Sequence, residues 1–255
     1  MTVHPNLIAL ALFALCLGLT NTSFAECAQQ RTDLKAQVRK VYDGDTLQLS
    51  DGTRIRIIGI NAPEFGRRGR TDELLAQQAK SYLEDLLKKH NNKISLQYGP
   101  DKFDRYGRTL AHVFLEDGSN VATQLLTRGL AAKVVFPPNI WGQKCYLKSE
   151  SQARSHNLGL WQHIVTPVEK ISLDDKGFRI IEGKITRVAD SKKSIWLNFN
   201  AHFAVRIARK DLEQFALVNF KQLQSKTIQV RGWVYGYKDK KIIRLRHSSM
   251  LEIMK

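Results

Sequence analysis

The sequence predicts a β-rich α+β protein: a five-stranded OB-like barrel with packed helices, followed by a second, smaller OB-like β-barrel domain. Three observations lead to this prediction. Apolar residues alternate on both sides of Asp51-Gly52, which indicates a tight hairpin. Apolar residues at helical spacing then occur between further short alternating runs. Beyond a break near Thr166-Pro167, the order of three strands, a helix and two strands appears again.

The first barrel is predicted from five short alternating segments, residues 38–41, 45–50, 53–60, 93–98 and 109–115. Thr71 is the expected N-cap of a long helix that ends near His90. Shorter helices are predicted at residues 120–128, closed by Gly129, and at residues 145–157. Five strands with helices on one side are typical of an OB-like barrel.

The second barrel is predicted from alternating segments at residues 178–188, 194–200, 203–207, 226–237 and 241–247. A helix is expected at residues 209–217, between the third and fourth of these strands. The order of elements therefore matches that of the first barrel.

The N-terminal 25 residues have the pattern of a signal peptide. Residues 7–19 form an apolar run that is short for a membrane span, and Ser23-Phe24-Ala25 has the small-x-small pattern of a cleavage site. The segment carries His4 but no Lys or Arg, so an uncleaved anchor is the alternative. The domain boundaries predicted are 1–25 for the signal peptide, 26–164 for the first domain and 165–255 for a basic second domain. We expect an exported protein, periplasmic or secreted, with no stable membrane span in its mature form.

Export to an oxidising compartment would allow the cysteines of the mature chain to form a disulfide. Without Cys16, the mature chain keeps Cys27 and Cys145, an even pair in an oxidising compartment. A disulfide between them is the prediction, and two buried thiols are the alternative.

The chain has a formal net charge of +16, and residues 165–255 hold 19 Lys and Arg against 9 Asp and Glu. Such a charge favours polyanionic partners. It does not by itself distinguish nucleic acid, anionic lipid and a merely soluble basic protein.

Acidic and basic side chains gather around the first predicted sheet. Asp45, Asn61 and Glu64 offer hard oxygen atoms that suit Ca²⁺ or Mg²⁺. Arg56 and Arg108 carry permanent charge in a fork that matches phosphate oxygens. Metal, carboxylate and two arginines can together promote attack of water on phosphorus.

Taken singly, each piece has an ordinary structural explanation as a solvated turn, a surface arginine or a polar hairpin. Their order and spacing, however, resemble the staphylococcal nuclease (thermonuclease) family. The resemblance covers residues 35–161 and rests on these motifs: Asp43-Gly44-Asp45-Thr46, Arg56 eight residues before Glu64, Ala62-Pro63-Glu64, Asp104-Arg105-Tyr106-Gly107-Arg108, Gly129-Leu130-Ala131 and Leu160-Trp161. It implies a Ca²⁺-dependent nuclease that acts on DNA and RNA and leaves 3′-phosphate ends.

The resemblance also implies roles for individual residues. Arg56, Glu64 and Arg108 would be catalytic: Arg56 grips the phosphate, Glu64 orients or deprotonates the attacking water, and Arg108 stabilises the transition state.

The metal ligands would be Asp45, Asn61 and Ala62, with Asp43 behind them. Arg105 and Tyr106 would hold substrate, Tyr106 at a terminal phosphate.

Two departures from the family pattern matter. Asn61 stands where the family often has a second acidic ligand, so weaker Ca²⁺ binding, or a preference for Mg²⁺ or another divalent ion, is the alternative. Residues 131–136 do not align cleanly with a second nucleotide-contacting tyrosine, and no residue is assigned that role.

A basic loop follows Glu64. Its arginines Arg67, Arg68 and Arg70 lie between glycines and favour phosphate, so they are candidates for substrate binding. An exposed loop that only adds to the general charge is the alternative.

The second barrel has a mixed face of its own. In residues 227–237, Arg231, Trp233 and Tyr235 alternate with apolar residues, and Trp196 and Arg244 have the same parity on other strands. Arg231 and Trp233 are therefore candidates for stacking bases and neutralising phosphates. Aromatic residues that cover a domain interface are the alternative.

Three classes of protein compete. The first is an exported metal-dependent nuclease with an appended binding domain. The second is a catalytically silent nucleic-acid-binding protein, which would be expected to have lost at least one of Asp45, Arg56, Glu64 and Arg108. The third, an envelope protein bound to anionic lipid, leaves those four residues without a role. We predict the nuclease, with DNA, RNA or both as its partner.

Overall fold

The computed structural model describes residues 27–66 and 71–254. In its first part the helices and strands are β1 (Leu34–Val41), β2 (Thr46–Leu49), β3 (Arg54–Ile57), β4 (Ile60–Asn61), α1 (Ala76–Lys88), β5 (Lys93–Phe103), β6 (Thr109–Leu115), α2 (Val121–Thr127), β7 (Ala132–Lys133) and α3 (Gln143–Ser155). In its second part they are β8 (Val165–Pro167), β9 (Gly177–Lys184), β10 (Arg187–Asp190), β11 (Ser194–Asn198), β12 (Phe203–Ala208), β13 (Thr227–Tyr237), β14 (Lys240–Leu245) and β15 (Leu251–Ile253).

The first barrel is closed, with the strand order β1-β2-β3-β6-β5. The alternation predicted from the sequence holds, since Leu47, Leu49, Ile55 and Ile57 are all buried. At Asp51 the side chain accepts a hydrogen bond from the Thr53 backbone N–H, which fixes the hairpin turn. Antiparallel pairing then brings β2 and β3 together, and β6 adds to β3 in parallel.

The second barrel is formed by β9 to β14, within a sheet of order β10-β11-β12-β14-β13-β9-β8. Only Ile185 and Thr186 separate β9 from β10, so β10 at one end of this order and β9 near the other belong to one bent stretch of chain. The predicted single strand at residues 178–188 is therefore two strands. If β9 and β10 are counted as one bent first strand, the strands of the second barrel have the same spatial order as those of the first. The third and fifth strands, β12 and β14, again pair in parallel.

The two barrels share apolar packing. One continuous buried core joins residues of the second barrel to five residues of the first part of the chain, Ala132, Val134, Val135, Ala153 and Trp161. The remaining core of the first barrel is a separate cluster that includes Leu83 and Leu125 from its helices. The predicted boundary between residues 164 and 165 stays a prediction.

Three other predictions can be compared with the structure. Helix α1 begins at Ala76 with Leu75 as its N-cap, so the prediction of Thr71 as N-cap is wrong. The helix predicted at residues 209–217 is a 3₁₀ segment, Arg209–Phe215. A disulfide joins Cys27 to Cys145 across 118 residues.

The predicted signal peptide lies outside the described residues. Among the residues that are described, no helix has the length and apolar character needed to cross a membrane.

Candidate active site

A tight turn before β2 presents the first carboxylates. The Asp43 side chain accepts a hydrogen bond from the backbone N–H of Asp45 at 3.0 Å, which closes the turn. A Cβ atom on Gly44 would lie 2.6 Å from the Ala62 Cβ and 2.8 Å from the Ala79 Cβ. Glycine is thus required here because the turn lies directly against the loop after β4 and against helix α1.

Asp45 is the buried centre of the site, at 1% exposure. Its Oδ2 accepts a hydrogen bond from the Ala62 backbone N–H at 2.7 Å and lies 2.9 Å from Arg56 Nη2. Its Oδ1 accepts from the Thr46 hydroxyl at 3.1 Å. Burial raises the pKa of Asp45 to about 7, and the Asp43 and Glu64 carboxylates raise it further, while Arg56 and the Ala62 N–H oppose the increase.

Arg56 joins Asp45 to the short strand β4. Its Nη1 donates to the carbonyl oxygens of Ile57 and Ile60 at 2.6 and 2.8 Å. Its Nη2 reaches Asn61 Oδ1 at 3.4 Å, in addition to Asp45. Both terminal nitrogens therefore have protein partners, and the guanidinium holds the carboxylate and the candidate ligand Asn61 in one place.

Arg108 approaches from the turn between β5 and β6. Its Nε donates to Asp104 at 2.7 Å, and its Nη1 donates to the Thr46 hydroxyl at 3.2 Å. Because that hydroxyl in turn donates to Asp45, a chain of hydrogen bonds links Arg108 to the buried carboxylate. Partial burial would raise the pKa of Asp104, but hydrogen bonds from Arg108 and Tyr106 outweigh it and lower that pKa.

Arg105 and Tyr106 lie at the tip of the same turn. Tyr106 is 67% exposed, and the Arg105 guanidinium lies 4.7 Å from its ring centroid and donates to its hydroxyl. The Arg108 guanidinium is 5.5 Å from the same ring. The turn thus presents an exposed aromatic ring between two positive charges.

Glu64 lies where the loop leaves β4, and its side chain is exposed. Its backbone N–H donates to Glu73 Oε2 at 3.0 Å, and its carbonyl accepts from the Glu73 N–H at 3.0 Å. Gly66 donates its N–H to Asp72 at 2.9 Å. These bonds join residues 64–66 to residues 72–73; the candidates Arg67, Arg68 and Arg70 lie outside the described residues.

The donors at this site fit a hard divalent ion that keeps several waters. Among residues 27–66 and 71–254, no three His, Cys, Asp or Glu side chains form a group that could hold a metal. Asp43, Asp45, Asn61 and the Ala62 carbonyl nevertheless form an all-oxygen set, the chemistry preferred by Ca²⁺ and Mg²⁺. Burial is the main cause of the raised pKa of Asp45, and the Asp43 and Glu64 carboxylates add to it; a cation bound beside Asp45 would favour its ionised form.

The structure does not bring Arg231 and Trp233 to this site. Arg231 is buried, and its Nη1 lies 2.7 Å from both carboxylate oxygens of Glu150 on α3. Trp233 contacts the rings of Phe178 and Phe136. Arg231 is therefore not available to phosphate, and the interpretation of this part of the sheet as an interface between the barrels fits its position.

The second barrel nevertheless reaches strand β4, which contains Asn61, and the loop that follows it. A cleft between the two barrels is lined on one side by Asn61, Pro63 and Glu73, and on the other by Phe178 and Arg179. The ion pair between Arg231 and Glu150 also joins the second barrel to α3 of the first.

Sequence reasoning missed three residues that organise the site. Thr46 and Asp104 belong to the two motifs, but no role was assigned to them. The spacing of Asp104 four residues before Arg108 is the signal that could have indicated an ion pair. Lys133 gave no signal: it is buried on β7, which pairs with β4 through Ile60 and Asn61. Burial lowers the pKa of Lys133 to about 8, with Arg231 adding to that effect.

Comparison with known proteins shows the family to which the chain belongs. Residues 54–163 match the family model described as "Staphylococcal nuclease homologue". A thermonuclease of Staphylococcus intermedius is 29% identical over 170 residues, which are 64% of this chain and 98% of that protein. For a thermonuclease of Staphylococcus hyicus the values are 32% over 133 residues, 50% of this chain and 75% of that protein. Endonuclease YhcR of Bacillus subtilis (strain 168) is 30% identical over 135 residues, 49% of this chain and 11% of that protein.

A closed barrel with two arginines beside buried carboxylates, in a chain with such relatives, defines a nuclease. More narrowly, the chain belongs to the staphylococcal nuclease family. Its second barrel lies beyond the matched residues.

Proposed function

We propose that the protein is an exported, metal-dependent phosphodiesterase that hydrolyses DNA, RNA or both and leaves 3′-phosphate ends, with Ca²⁺ as its metal. The observation that carries the proposal is the chain of hydrogen bonds from Arg108 through Thr46 to Asp45, together with the ion pair between Asp45 and Arg56. It sets two permanent positive charges on either side of a buried carboxylate.

In the proposed reaction, the exposed carboxylate of Glu64 orients a water molecule and accepts its proton as the oxygen attacks phosphorus. The bond from phosphorus to the 5′ oxygen breaks, so the phosphate stays on the 3′ side. The departing 5′ oxygen takes a proton from solvent water and becomes a 5′ hydroxyl, and Glu64 returns its proton to the solvent. Arg108 donates to the phosphoryl oxygens, where negative charge increases in the transition state. Among the described residues, its second terminal nitrogen has no hydrogen-bond partner.

The roles of the other residues follow from their contacts. Asp45, Asn61 and Ala62 would hold the divalent ion, with Asp43 behind them. A divalent ion bound there would polarise a phosphoryl oxygen as a Lewis acid. Arg56 fixes Asp45 against β4 and carries the charge that would attract the phosphate. Arg105 and Tyr106 present an exposed surface for the substrate beside Arg108.

Two observations support export. Residues 7–19 and the pattern at Ser23 to Ala25 are typical of a signal peptide. The disulfide between Cys27 and Cys145 is of the kind found in oxidising compartments. We propose that the mature protein is periplasmic or secreted.

The test is digestion of plasmid, single-stranded DNA and RNA by the mature protein, with added Ca²⁺, with Mg²⁺ and with a chelator. The proposal predicts cleavage that requires the divalent ion and products with a terminal 3′ phosphate. Undiminished cleavage in the chelator would exclude the metal dependence, and 5′-phosphate products would exclude the reaction as written.

A further inference from the structure

The outward side of the second barrel carries aromatic and basic side chains on neighbouring strands. Trp196 on β11 pairs with Arg206 on β12, and Arg206 pairs with Arg244 on β14. Directly paired residues point to the same side of a sheet. The same side therefore holds Tyr235 and Tyr237 of β13, which pair with Ile242 and Lys240 of β14. We call Trp196, Arg206, Tyr235, Tyr237 and Lys240 the outer face.

The rings of the outer face form a platform. The ring centroids of Trp196 and Tyr237 are 5.5 Å apart, although β12 and β14 lie between their strands. Ala204 and Ile242 lie on the same side between these rings, and both are buried, at 1% and 0% exposure. Small and medium side chains in the middle thus let the large rings lie over the sheet.

The platform remains accessible. Tyr235 and Tyr237 are 39% and 41% exposed, in contrast to Arg231 on the same strand, which the first barrel covers. Trp233 lies at the border, with its ring 5.5 Å from that of Phe136 in the first barrel. Trp233 thus contacts the first barrel two residues before Tyr235 of the outer face.

The charge of the outer face is positive. The Arg206 guanidinium lies 5.8 Å from the Trp196 ring centroid, and its Nε donates to the Ser194 hydroxyl. Neither Arg206 nor Lys240 is in an ion pair with any residue that the structure describes. Arg244 differs, because it pairs with Asp211 at 2.6 Å.

We propose that the outer face binds a single-stranded segment of the nucleic acid that the enzyme cleaves. This inference rests on the proposed nuclease function and assigns the binding of a longer substrate to the second barrel. Bases would stack on Trp196, Tyr235 and Tyr237, while Arg206 and Lys240 neutralise phosphates. In five-stranded barrels of this type, oligonucleotides bind on the face of the second and third strands and beside the loop between the fourth and fifth. Those elements are β11, β12 and the turn from Tyr237 to Lys240.

The test measures equilibrium binding of a fluorescent oligothymidylate of about 30 nucleotides, and of a duplex of equal length, to the mature protein in excess chelator. The first variant is the double change Trp196→Ala and Tyr237→Ala. The second, Arg206→Glu with Lys240→Glu, keeps every ring in place, so it remains informative if the first fails to fold. The controls are Leu217→Ala and Lys221→Gln, exposed positions in the segment between β12 and β13.

Each outer-face variant should weaken binding of the single strand by about tenfold or more, and the charge variant should also flatten the salt dependence. Binding of the duplex should change by less than about threefold in the Trp196→Ala and Tyr237→Ala variant, because paired bases cannot stack on the rings. The controls should bind as the unaltered protein does. Turnover of a dinucleotide, which is too short to reach the outer face, should be unchanged in all variants.

Unaltered single-strand binding in both outer-face variants would overturn the inference, as would an equal loss in the controls. Vesicles of phosphatidylglycerol provide a further test. If they bind through the outer face and the oligothymidylate does not, the partner is a membrane surface and the inference is overturned. The proposed function fails independently: a protein that cleaves no dinucleotide with any divalent ion can still bind the oligothymidylate in chelator.

Discussion

Removal of Arg231 should be one of the most destabilising single changes outside the apolar core. Arg231 and Glu150 are 5% and 0% exposed, so their ion pair is isolated from water between the two barrels. In Arg231→Met, the Glu150 carboxylate loses its ion-pair partner but keeps the hydrogen bond from the Lys133 backbone N–H, at 2.6 Å, and the electrostatic attraction of the Lys133 ammonium. Removal of one partner of a buried ion pair costs about 3–5 kcal/mol.

The double change Arg231→Met with Glu150→Leu should cost less than the single change. It removes both charges, so the attraction of the Lys133 ammonium to Glu150 and its repulsion from Arg231 are lost together. The remaining penalty is the buried Lys133 N–H without an acceptor, about 1–3 kcal/mol. The free energy of unfolding from urea titration is the measurement. The matched control is Arg154→Met, because Arg154 pairs with the half-exposed Glu252 in the same region. Apart from the lost packing of the side chain, this substitution should lower the free energy of unfolding by less than about 1 kcal/mol.

Two results would refute this reasoning. If Arg231→Met costs no more than Arg154→Met, the pair between Arg231 and Glu150 is not isolated from water. If the double change is as destabilising as the single one, the lost packing of the arginine stem, and not the unpaired carboxylate, dominates the free energy.

Three further predictions concern the site and the disulfide. Glu64→Gln and Arg108→Ala should each lower kcat by about 100-fold or more with an unchanged circular dichroism spectrum; turnover near normal in either would exclude its proposed role. Asn61→Asp should tighten Ca²⁺ binding by roughly tenfold in calorimetry, because ligand charge sets affinity, and equal or weaker binding would remove Asn61 from the ligand set. Reduction of the bond between Cys27 and Cys145 should lower the free energy of unfolding by about 2–5 kcal/mol, and thiols that react with a label in the unfolded, unreduced protein would show that the bond is absent.

The order of strands in both barrels could be predicted from the sequence, because short alternating runs separated by turns leave few alternatives. The first residue of α1 could not be predicted from the sequence. Thr71, Asp72 and Glu73 resemble the polar first turn of a helix, but the acidic side chains bind the backbone of Glu64 and Gly66 instead. A side chain that closes a loop and one that caps a helix have the same signature in the sequence.

The candidate site was predictable as a set of residues but not as a set of contacts. The motifs bring Asp45, Arg56 and Arg108 together, and the structure places them within one hydrogen-bonded chain. Alternation along β13 correctly separates Arg231 and Trp233 from the barrel interior. The alternation does not show what covers that side of the sheet. The first barrel lies against Arg231 through the contact with Glu150, and these two residues are 81 positions apart in the chain.

The core shared by the two barrels bears on how the newly made chain acquires activity. Strand β7 pairs with the strand of Asn61. The Lys133 ammonium on β7 donates to the carbonyl oxygen of Ser249, and the backbone N–H of Val135 donates to the sulfur of Met250. A polypeptide emerges from the ribosome with its N-terminus first, so Ser249 and Met250 become available only after β9 to β14 have been synthesised. The support that these residues give to β7, and through it to the strand of Asn61, is therefore absent from a nascent chain that has not yet reached Ser249.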